Sequence, residues 1–202
     1  GSEHFSKNEL VNYLERVGSR FGPDLNAYTS FDETVYMLQV RTDDADQFDH
    51  GLLILRDWAT GISFDSAEID KERGVVISEW RSGLSPDQRM EQKYLPFLYY
   101  NSRYAKRLPI GDPEIVKTAP YQVVRRFYND WYRPELMSLF IVGAIDPDKI
   151  EQQIRTQFGT IQGKNPARQK EPNTVPDKPN TFAMVVTDPE ATNASVQLIY
   201  NH

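Results

Sequence analysis

Two glutamates on one predicted helix are the residues of this sequence best suited to carry chemistry. Glu72 and Glu79 are seven residues apart, so on a helix they share one face and lie two turns apart. The residues between them at 74–77 are apolar, which could place both carboxylates at a partly buried cleft. Carboxylates in such clefts bind metal ions or orient the groups that do. The alternative is a pair of surface glutamates in ion pairs with neighbouring basic residues, and the spacing alone favours this alternative.

A short segment with alternating polar and apolar side chains is the second candidate site. Residues 22–36 include Asn26, Ala27 and Tyr28 in a run typical of an exposed strand. The edge of such a strand can bind an extended peptide by adding it as a further strand. The alternative is a purely structural hairpin, and the pattern alone favours that interpretation.

Other common catalytic arrangements are missing from the sequence. There is no cysteine, which excludes disulfide scaffolds, thiolate zinc sites and cysteine nucleophiles. The three histidines, His4, His50 and His202, are too far apart to form a helical zinc pair. No glycine-rich phosphate-binding motif and no G-x-S-x-G motif occurs. The two glutamates and the strand therefore remain the only candidates from motif spacing.

Composition narrows the classes of partner. The 202 residues include 23 basic and 29 acidic side chains, and the net charge of −6 argues against a nucleic-acid partner. The longest apolar stretch, residues 136–145, is about half as long as a membrane span. We therefore predict no nucleic-acid binding and no membrane span.

The secondary-structure signals predict an α+β fold, with an antiparallel or mixed sheet covered by helices. Ser6 and Glu9 form a capping box that starts a first helix. Two strands are predicted at 25–31 and 34–41 with a tight connection at 32–33, as a hairpin or as a pair of edge-forming strands. Further helices are predicted between residues 43 and 132, followed by a buried strand at 136–145 and a helix at 146–158.

A change in composition predicts the domain boundaries. Residues 162–180 contain four prolines, several lysines and almost no apolar side chain, as is typical of a linker. Residues 1–161 are predicted to form most of a first α+β domain. Residues 181–202, with strands at 181–187 and 195–200, are predicted to start the next one.

Four segments, in order along the chain, resemble the pitrilysin/insulinase family of zinc metallopeptidases. They are G-x-x-x-N-A-Y-T-S-x-D-x-T-x-Y at 22–36, E-R-G-V-V-I-S-E at 72–79, L-P-I-G-x-P-E at 108–114, and W-Y-R-P-x-x-M at 131–137 continuing to Gly143. The resemblance covers almost the whole chain and is greatest to the bacterial PQQ-biosynthesis-like branch. Any one segment would be a weak signal, but four in register are specific.

The resemblance implies a zinc-dependent endopeptidase that acts on unstructured peptides. Members of the family bind zinc through an H-x-x-E-H helix, whose glutamate is the general base, and through a glutamate further downstream. Glu79 matches that downstream ligand, and Glu72 matches a supporting carboxylate that orients the site. Asn26, Ala27 and Tyr28 match the strand on which the peptide substrate is bound.

The sequence departs from the family pattern because it contains no H-x-x-E-H. In the family this motif lies a few residues before the segment that matches residues 1–5. We therefore interpret the chain as a fragment of a longer parent and predict that zinc is absent from the fragment and that it is inactive alone. The remaining domains of the parent would be its partners. Similarity to the bacterial branch implies a periplasmic or cell-envelope location.

A second hypothesis fits the same residues. The parent could be a non-catalytic homologue that binds peptides, or that assembles with an active peptidase subunit. The two hypotheses differ only in residues upstream of Gly1.

Overall fold

The computed structural model describes residues 1–6, 8–163, 166–178 and 180–200. The helices and strands, in chain order, are α1 Glu9–Arg16, β1 Leu25–Thr29, β2 Thr34–Leu38, α2 Ala45–Thr60, α3 Ser66–Ser82, α4 Pro86–Leu98, α5 Pro113–Thr118, α6 Tyr121–Trp131 and α7 Pro147–Phe158. Helices thus accompany one antiparallel pair of strands, and the predicted α+β class is confirmed. No helix in this part of the chain has the length and apolarity needed to cross a membrane.

Side-chain caps explain where several helices begin. Asp44 accepts a hydrogen bond from the amide of Gln47 at the start of α2. Asp65 accepts amide hydrogen bonds ahead of α3, and Ser85 does the same for α4. Asp146 caps α7, which has a proline in its first turn. These caps satisfy amides that have no partner inside the helix, so short polar residues determine the helix starts.

The predicted hairpin is confirmed, with shorter strands. β1 pairs with β2 in antiparallel register, from Leu25 opposite Leu38 to Thr29 opposite Thr34. Residues 30–33 form the connection. The sheet of the described residues contains only these two strands.

The strand predicted at 136–145 is not found. Residues Pro134–Leu136 form a short 3-10 turn, and the residues that follow have no ladder partner in the described part of the chain. Phe140 and Val142 are 85% and 96% exposed. The strands predicted at 181–187 and 195–200 are likewise not found within residues 180–200. The physical reason is the same, because a strand requires a neighbour for its backbone hydrogen bonds.

The chain divides into two compact units. The first unit comprises residues 1–29, 33–69 and 119–169. It contains two apolar clusters, the first built on Phe5, Leu14 and Ile54 and the second on residues of α2 and α7. The buried members of the second cluster are Phe48, Leu52 and Ile150. Burial of these side chains supplies the main stabilisation of this unit.

The second unit comprises residues 30–32, 70–118 and 170–202. None of its described residues is buried as a whole. Its contacts include edge-to-face aromatic pairs, such as Phe31 with Tyr99 and Tyr104, and ion pairs.

The predicted domain boundaries stay a prediction. The two units are each assembled from segments that are separate in sequence, so they do not correspond to a boundary at residue 161. Residues 164, 165 and 179 of the predicted linker, and residues 201 and 202 of the predicted next domain, lie outside the described residues.

Candidate functional site

Helix α3 carries both candidate glutamates. It starts after the Asp65 cap and continues for 17 residues, so Glu72 and Glu79 share one face as the spacing predicted. The expectation of a partly buried cleft for both is not met. Each glutamate is exposed, and no residue of α3 is buried. The apolar residues between them include Val75, which is 53% exposed.

Glu79 lines a surface pocket of the second unit, and Glu72 does not. The pocket has a volume of about 240 Å³ and lies between the end of α3, helix α4 and the loop at 108–110. Its polar lining residues are Glu79, Gln88, Glu91 and Gln92. Apolar side chains complete it: Trp80, Leu95, Leu108, Pro109 and Ile110. Glu79 is therefore one of the residues that border a recess.

The carboxylates of Glu72 and Glu79 have no hydrogen-bond or ion-pair partner within residues 1–6, 8–163, 166–178 and 180–200. The nearby basic residue Arg73 instead pairs with Asp70 at 3.3 Å and donates a hydrogen bond to the carbonyl of Val116. Both glutamates thus lie at the surface without an ion pair to a described neighbour. A carboxylate with unused acceptor oxygens fits the role of a zinc ligand or of an orienting group.

One other cluster has the composition of a metal site. Glu3, His4 and Asp57 are the only group of three or more such side chains, among the described residues, whose ligand atoms lie close together. His4 Nδ1 is, however, 2.7 Å from Asp57 Oδ1. Ser2 Oγ and the His4 amide both donate to Asp57 Oδ2, at 2.6 and 2.9 Å. Both oxygens of Asp57 thus accept hydrogen bonds, and Ser2, His4 and Asp57 form a polar network of the first unit.

Sequence reasoning did not single out Asp57, although its spacing offered a signal. The residue lies on α2 three positions after Ile54, on the buried side of that helix. An aspartate within an apolar helical stripe must be hydrogen-bonded to be tolerated there.

The register of the hairpin determines which backbone groups of β1 face outward. The Gln39 amide donates to the Asp24 carbonyl, so this pair is hydrogen-bonded across the ladder. Because such pairs alternate in antiparallel strands, Asn26 and Tyr28 direct their backbone groups to β2, and Ala27 directs its own to the free edge. The Ala27 amide accordingly bonds the Asn26 side chain, at 2.8 Å from Oδ1.

Tyr28 presents its side chain to solvent near the hairpin turn. The residue is 48% exposed, and its hydroxyl donates to Glu33 at 3.3 Å. The negative charge of Glu33 raises the pKa of Tyr28. The structure thus places Asn26, Ala27 and Tyr28 together on β1 in the first unit, while the glutamates lie on the part of α3 that belongs to the second.

This combination of fold and motifs is that of a peptidase family. A sequence model described as "Insulinase (Peptidase family M16)" matches residues 1–107, and one described as "Peptidase M16 inactive domain" matches residues 118–201. The chain therefore belongs to the M16 (insulinase) family, which confirms the resemblance.

Individual relatives agree with this assignment. The chain is 39% identical over 150 residues to the "Probable zinc protease PqqL" of Haemophilus influenzae, covering 74% of this chain and 16% of that protein. The crystal structure of the first half of the periplasmic protease PqqL from Escherichia coli matches with a TM-score of 0.80 and 33% identity, over 88% of this chain and 37% of that one. A mutant of the ferredoxin protease FusC, solved in complex with Arabidopsis ferredoxin, also gives a TM-score of 0.80, at 27% identity over 89% of this chain and 20% of that one.

The chain spans only 16% of the length of the two PqqL proteins among these curated relatives. It likewise covers only 37% and 19% of the chains in the two similar PqqL structures.

Proposed function

We propose that the chain is part of a zinc-dependent endopeptidase that cleaves unstructured peptides. In this proposal Glu79 is one zinc ligand, Glu72 orients the site, and the free edge of β1 binds the substrate backbone. The observation that carries the proposal is that Glu79 ends the segment E-R-G-V-V-I-S-E, within the residues 1–107 that the M16 model matches, and lines a pocket. It is supported by membership of a family whose relatives are named zinc proteases.

The chemistry divides between the metal and the residues of this chain. Bound zinc would supply Lewis acidity and lower the pKa of a coordinated water to about 7. Glu79 would hold the metal through a carboxylate oxygen, and Glu72, two turns away on the same face, would orient the site without binding the metal. The edge of β1 would align the peptide by main-chain hydrogen bonds, which favours extended substrates over folded ones.

The fragment itself is proposed to be inactive and to hold no zinc tightly. Glu79 belongs to no group of metal-binding side chains among the described residues, so a single ligand remains for the metal. The remaining ligands and the general base are expected from an H-x-x-E-H motif of the parent. Other domains of that parent are the proposed partners, and a periplasmic location is proposed from the similar PqqL structure.

The alternative is a parent that binds peptides or assembles with an active subunit without catalysing hydrolysis. It keeps the β1 edge as the functional feature and makes Glu79 a ligand without a metal. The absence of H-x-x-E-H from the 202 residues is the observation that keeps this hypothesis open.

The decisive experiment compares Glu79→Gln with Glu91→Gln in the full-length parent. Both changes replace a carboxylate by an amide in the same pocket, so Glu91 is a matched control. We expect Glu79→Gln to abolish stoichiometric zinc in metal analysis and to remove peptidase activity, because the amide is a far weaker ligand for zinc. Glu91→Gln should keep both. A wild-type parent without bound zinc would exclude the peptidase and leave the non-catalytic alternative.

A companion variant separates the two glutamates. Glu72→Gln in the parent should lower kcat while most of the zinc remains bound, as expected for a group that orients rather than ligates. Complete loss of zinc from this variant would instead make Glu72 a ligand.

A second experiment tests the strand edge. Ala27→Pro removes a backbone amide that points away from β2, so the hairpin should still form. The KM for peptides should rise, because the edge loses a donor to the substrate backbone. Proline at Tyr28 removes a ladder donor to β2 and should disrupt the hairpin itself. An unchanged KM in a folded Ala27→Pro parent would contradict peptide binding at this edge.

A further inference from the structure

Asp57 is the charged residue most completely removed from solvent in the described chain. Its side chain is 1% exposed, and it lies in the last turn of α2, whose neighbouring residues Ile54 and Trp58 belong to the first apolar cluster. The C-terminal end of a helix disfavours a negative charge. The charge of Asp57 therefore does not stabilise α2. Its structural role follows from the groups that the carboxylate contacts.

Those groups come from the first four residues of the chain. Ser2 Oγ and the His4 amide both donate to Oδ2 of Asp57, and His4 Nδ1 contacts Oδ1. Burial by itself would raise the pKa of Asp57, but the hydrogen bonds from Ser2 and His4 outweigh burial and hold that pKa below its usual value. The carboxylate thus stays ionised and accepts three hydrogen bonds from one short segment.

Further contacts fix the same segment on either side of Asp57. The Ser63 amide and hydroxyl both donate to the carbonyl of Gly1, at 3.1 and 2.7 Å. Ser2 also forms an antiparallel bridge with Ile62. Phe5 is 8% exposed and belongs to the first apolar cluster. Residues 1–5, which we term the N-terminal anchor segment, are therefore held at each end, with Asp57 beneath the middle.

We propose that Asp57 is a positioning residue that fixes the N-terminal anchor segment, and through it the zinc-ligand helix that precedes this segment in the parent. The proposal rests on the proposed function, in which the remaining zinc ligands lie a few residues upstream of Gly1. A chain that leaves such a helix needs a rigid attachment, because metal affinity depends on how precisely the ligands are held. Asp57 provides that attachment through the hydrogen bonds that both of its oxygens accept from the anchor segment.

The test uses Asp57→Asn in the full-length parent, with Asp46→Asn as the matched control. Asp46 is an exposed aspartate of the same helix, so the control makes the same chemical change without touching the anchor segment. Three quantities are measured: the exchange rate of the His4 amide, the zinc affinity from chelator competition, and kcat and KM separately.

We expect Asp57→Asn to accelerate exchange of the His4 amide and to weaken zinc binding roughly tenfold. The kcat should fall while the KM stays near its wild-type value, because β1 binds the substrate independently of the anchor segment. Asp46→Asn should match the wild type in all three. A parent variant in which His4 exchanges faster but zinc affinity and kcat are unchanged would overturn the proposal.

Two smaller changes keep the test decisive if Asp57→Asn fails to fold. Ser2→Ala and His4→Ala each remove one contact to Asp57 and leave the backbone bond from the residue-4 amide in place. Both should weaken zinc binding less than Asp57→Asn would, and wild-type affinity in both would contradict the proposal. A wild-type parent that binds no zinc would overturn the proposed function and this inference together, whereas normal zinc in every variant would overturn the inference alone.

Discussion

The two units of the chain are stabilised by different kinds of interaction. In the first unit, the clusters around Ile54 and Leu52 exclude water from whole side chains. The described residues of the second unit include no apolar residue that is buried. There, Arg89 on α4 forms a bidentate pair with Asp188, and it also bonds Glu190 at 2.6 Å.

This difference bears on the candidate site because Glu72 and Glu79 lie on the segment of α3 that belongs to the second unit. Burial of an aliphatic side chain contributes a few kcal/mol to stability, and no described apolar residue of the second unit is buried. The helix that carries the proposed zinc ligand therefore lacks a core of its own within the described residues. We expect the rest of the parent chain to supply the packing for α3, which agrees with the short share of the relatives that this chain spans.

The largest effect on stability is expected in the core of the first unit. Ile54→Ala should lower the free energy of unfolding of the chain by about 2–5 kcal/mol, since Ile54 is fully buried and its removal leaves a cavity. Urea unfolding measures this difference. The matched control is Ile115→Ala in the second unit, where Ile115 is 63% exposed, with an expected change within about 0.5 kcal/mol. Equal losses would refute the contrast between the units.

An intermediate loss of unfolding free energy is expected from changes to the tyrosine pair of the first unit. The hydroxyls of Tyr36 and Tyr132 are 2.5 Å apart, and burial followed by this hydrogen bond raises the pKa of Tyr36. Tyr36→Phe should cost about 1 kcal/mol of unfolding free energy. A double-mutant cycle with Tyr132→Phe isolates the pair, and fully additive losses would show that the hydrogen bond contributes nothing.

The ion pairs of the second unit should show an effect on titration. Hydrogen bonds from Arg89 lower the pKa of Asp188 from 3.8 to about 2. Because the pKa is lower in the folded state, the stabilisation by this pair is present above the ordinary value of 3.8 and is lost as the pH falls towards 2. In Arg89→Gln the carboxyl of Asp188 should titrate closer to 3.8, as followed by carbon NMR. The exposed Arg81→Gln should leave the low pKa in place.

The smallest effect is expected on the exposed face of α3. Val75→Ser should change the unfolding free energy of this chain by less than about 0.5 kcal/mol, because the side chain is 53% exposed. The same change in the full-length parent should lower the unfolding free energy by more if other domains cover this helix. An equally small loss in the parent would mean that α3 stays uncovered there.

Local structure could be predicted where neighbouring residues determine it. The caps at Asp65 and Ser85 and the hairpin of β1 and β2 follow from side chains within a few positions of one another. The shared face of Glu72 and Glu79 follows from the helical period alone. The family could also be inferred from the order of the motifs, because each motif is a short run of residues that can be read directly from the sequence.

The strand predicted at 136–145 shows the limit of local reasoning. Its apolar sequence fits a buried strand. Phe140 and Val142 are nevertheless exposed, because no described segment forms a ladder with the backbone of residues 136–145. A strand depends on a second backbone, and apolar composition alone does not reveal whether one is present.

The order of residues was sufficient to predict the helices, the hairpin, the α+β class and the family of this protein. Three-dimensional contacts were needed to learn that Ala27 directs its amide to the free edge, that Glu79 lines a pocket, and that Asp57 holds residues 2 and 4. The physical reason is the range of the interactions. Caps and helical periods act over a few residues, whereas the contact of Asp57 with Ser2 joins residues 55 positions apart.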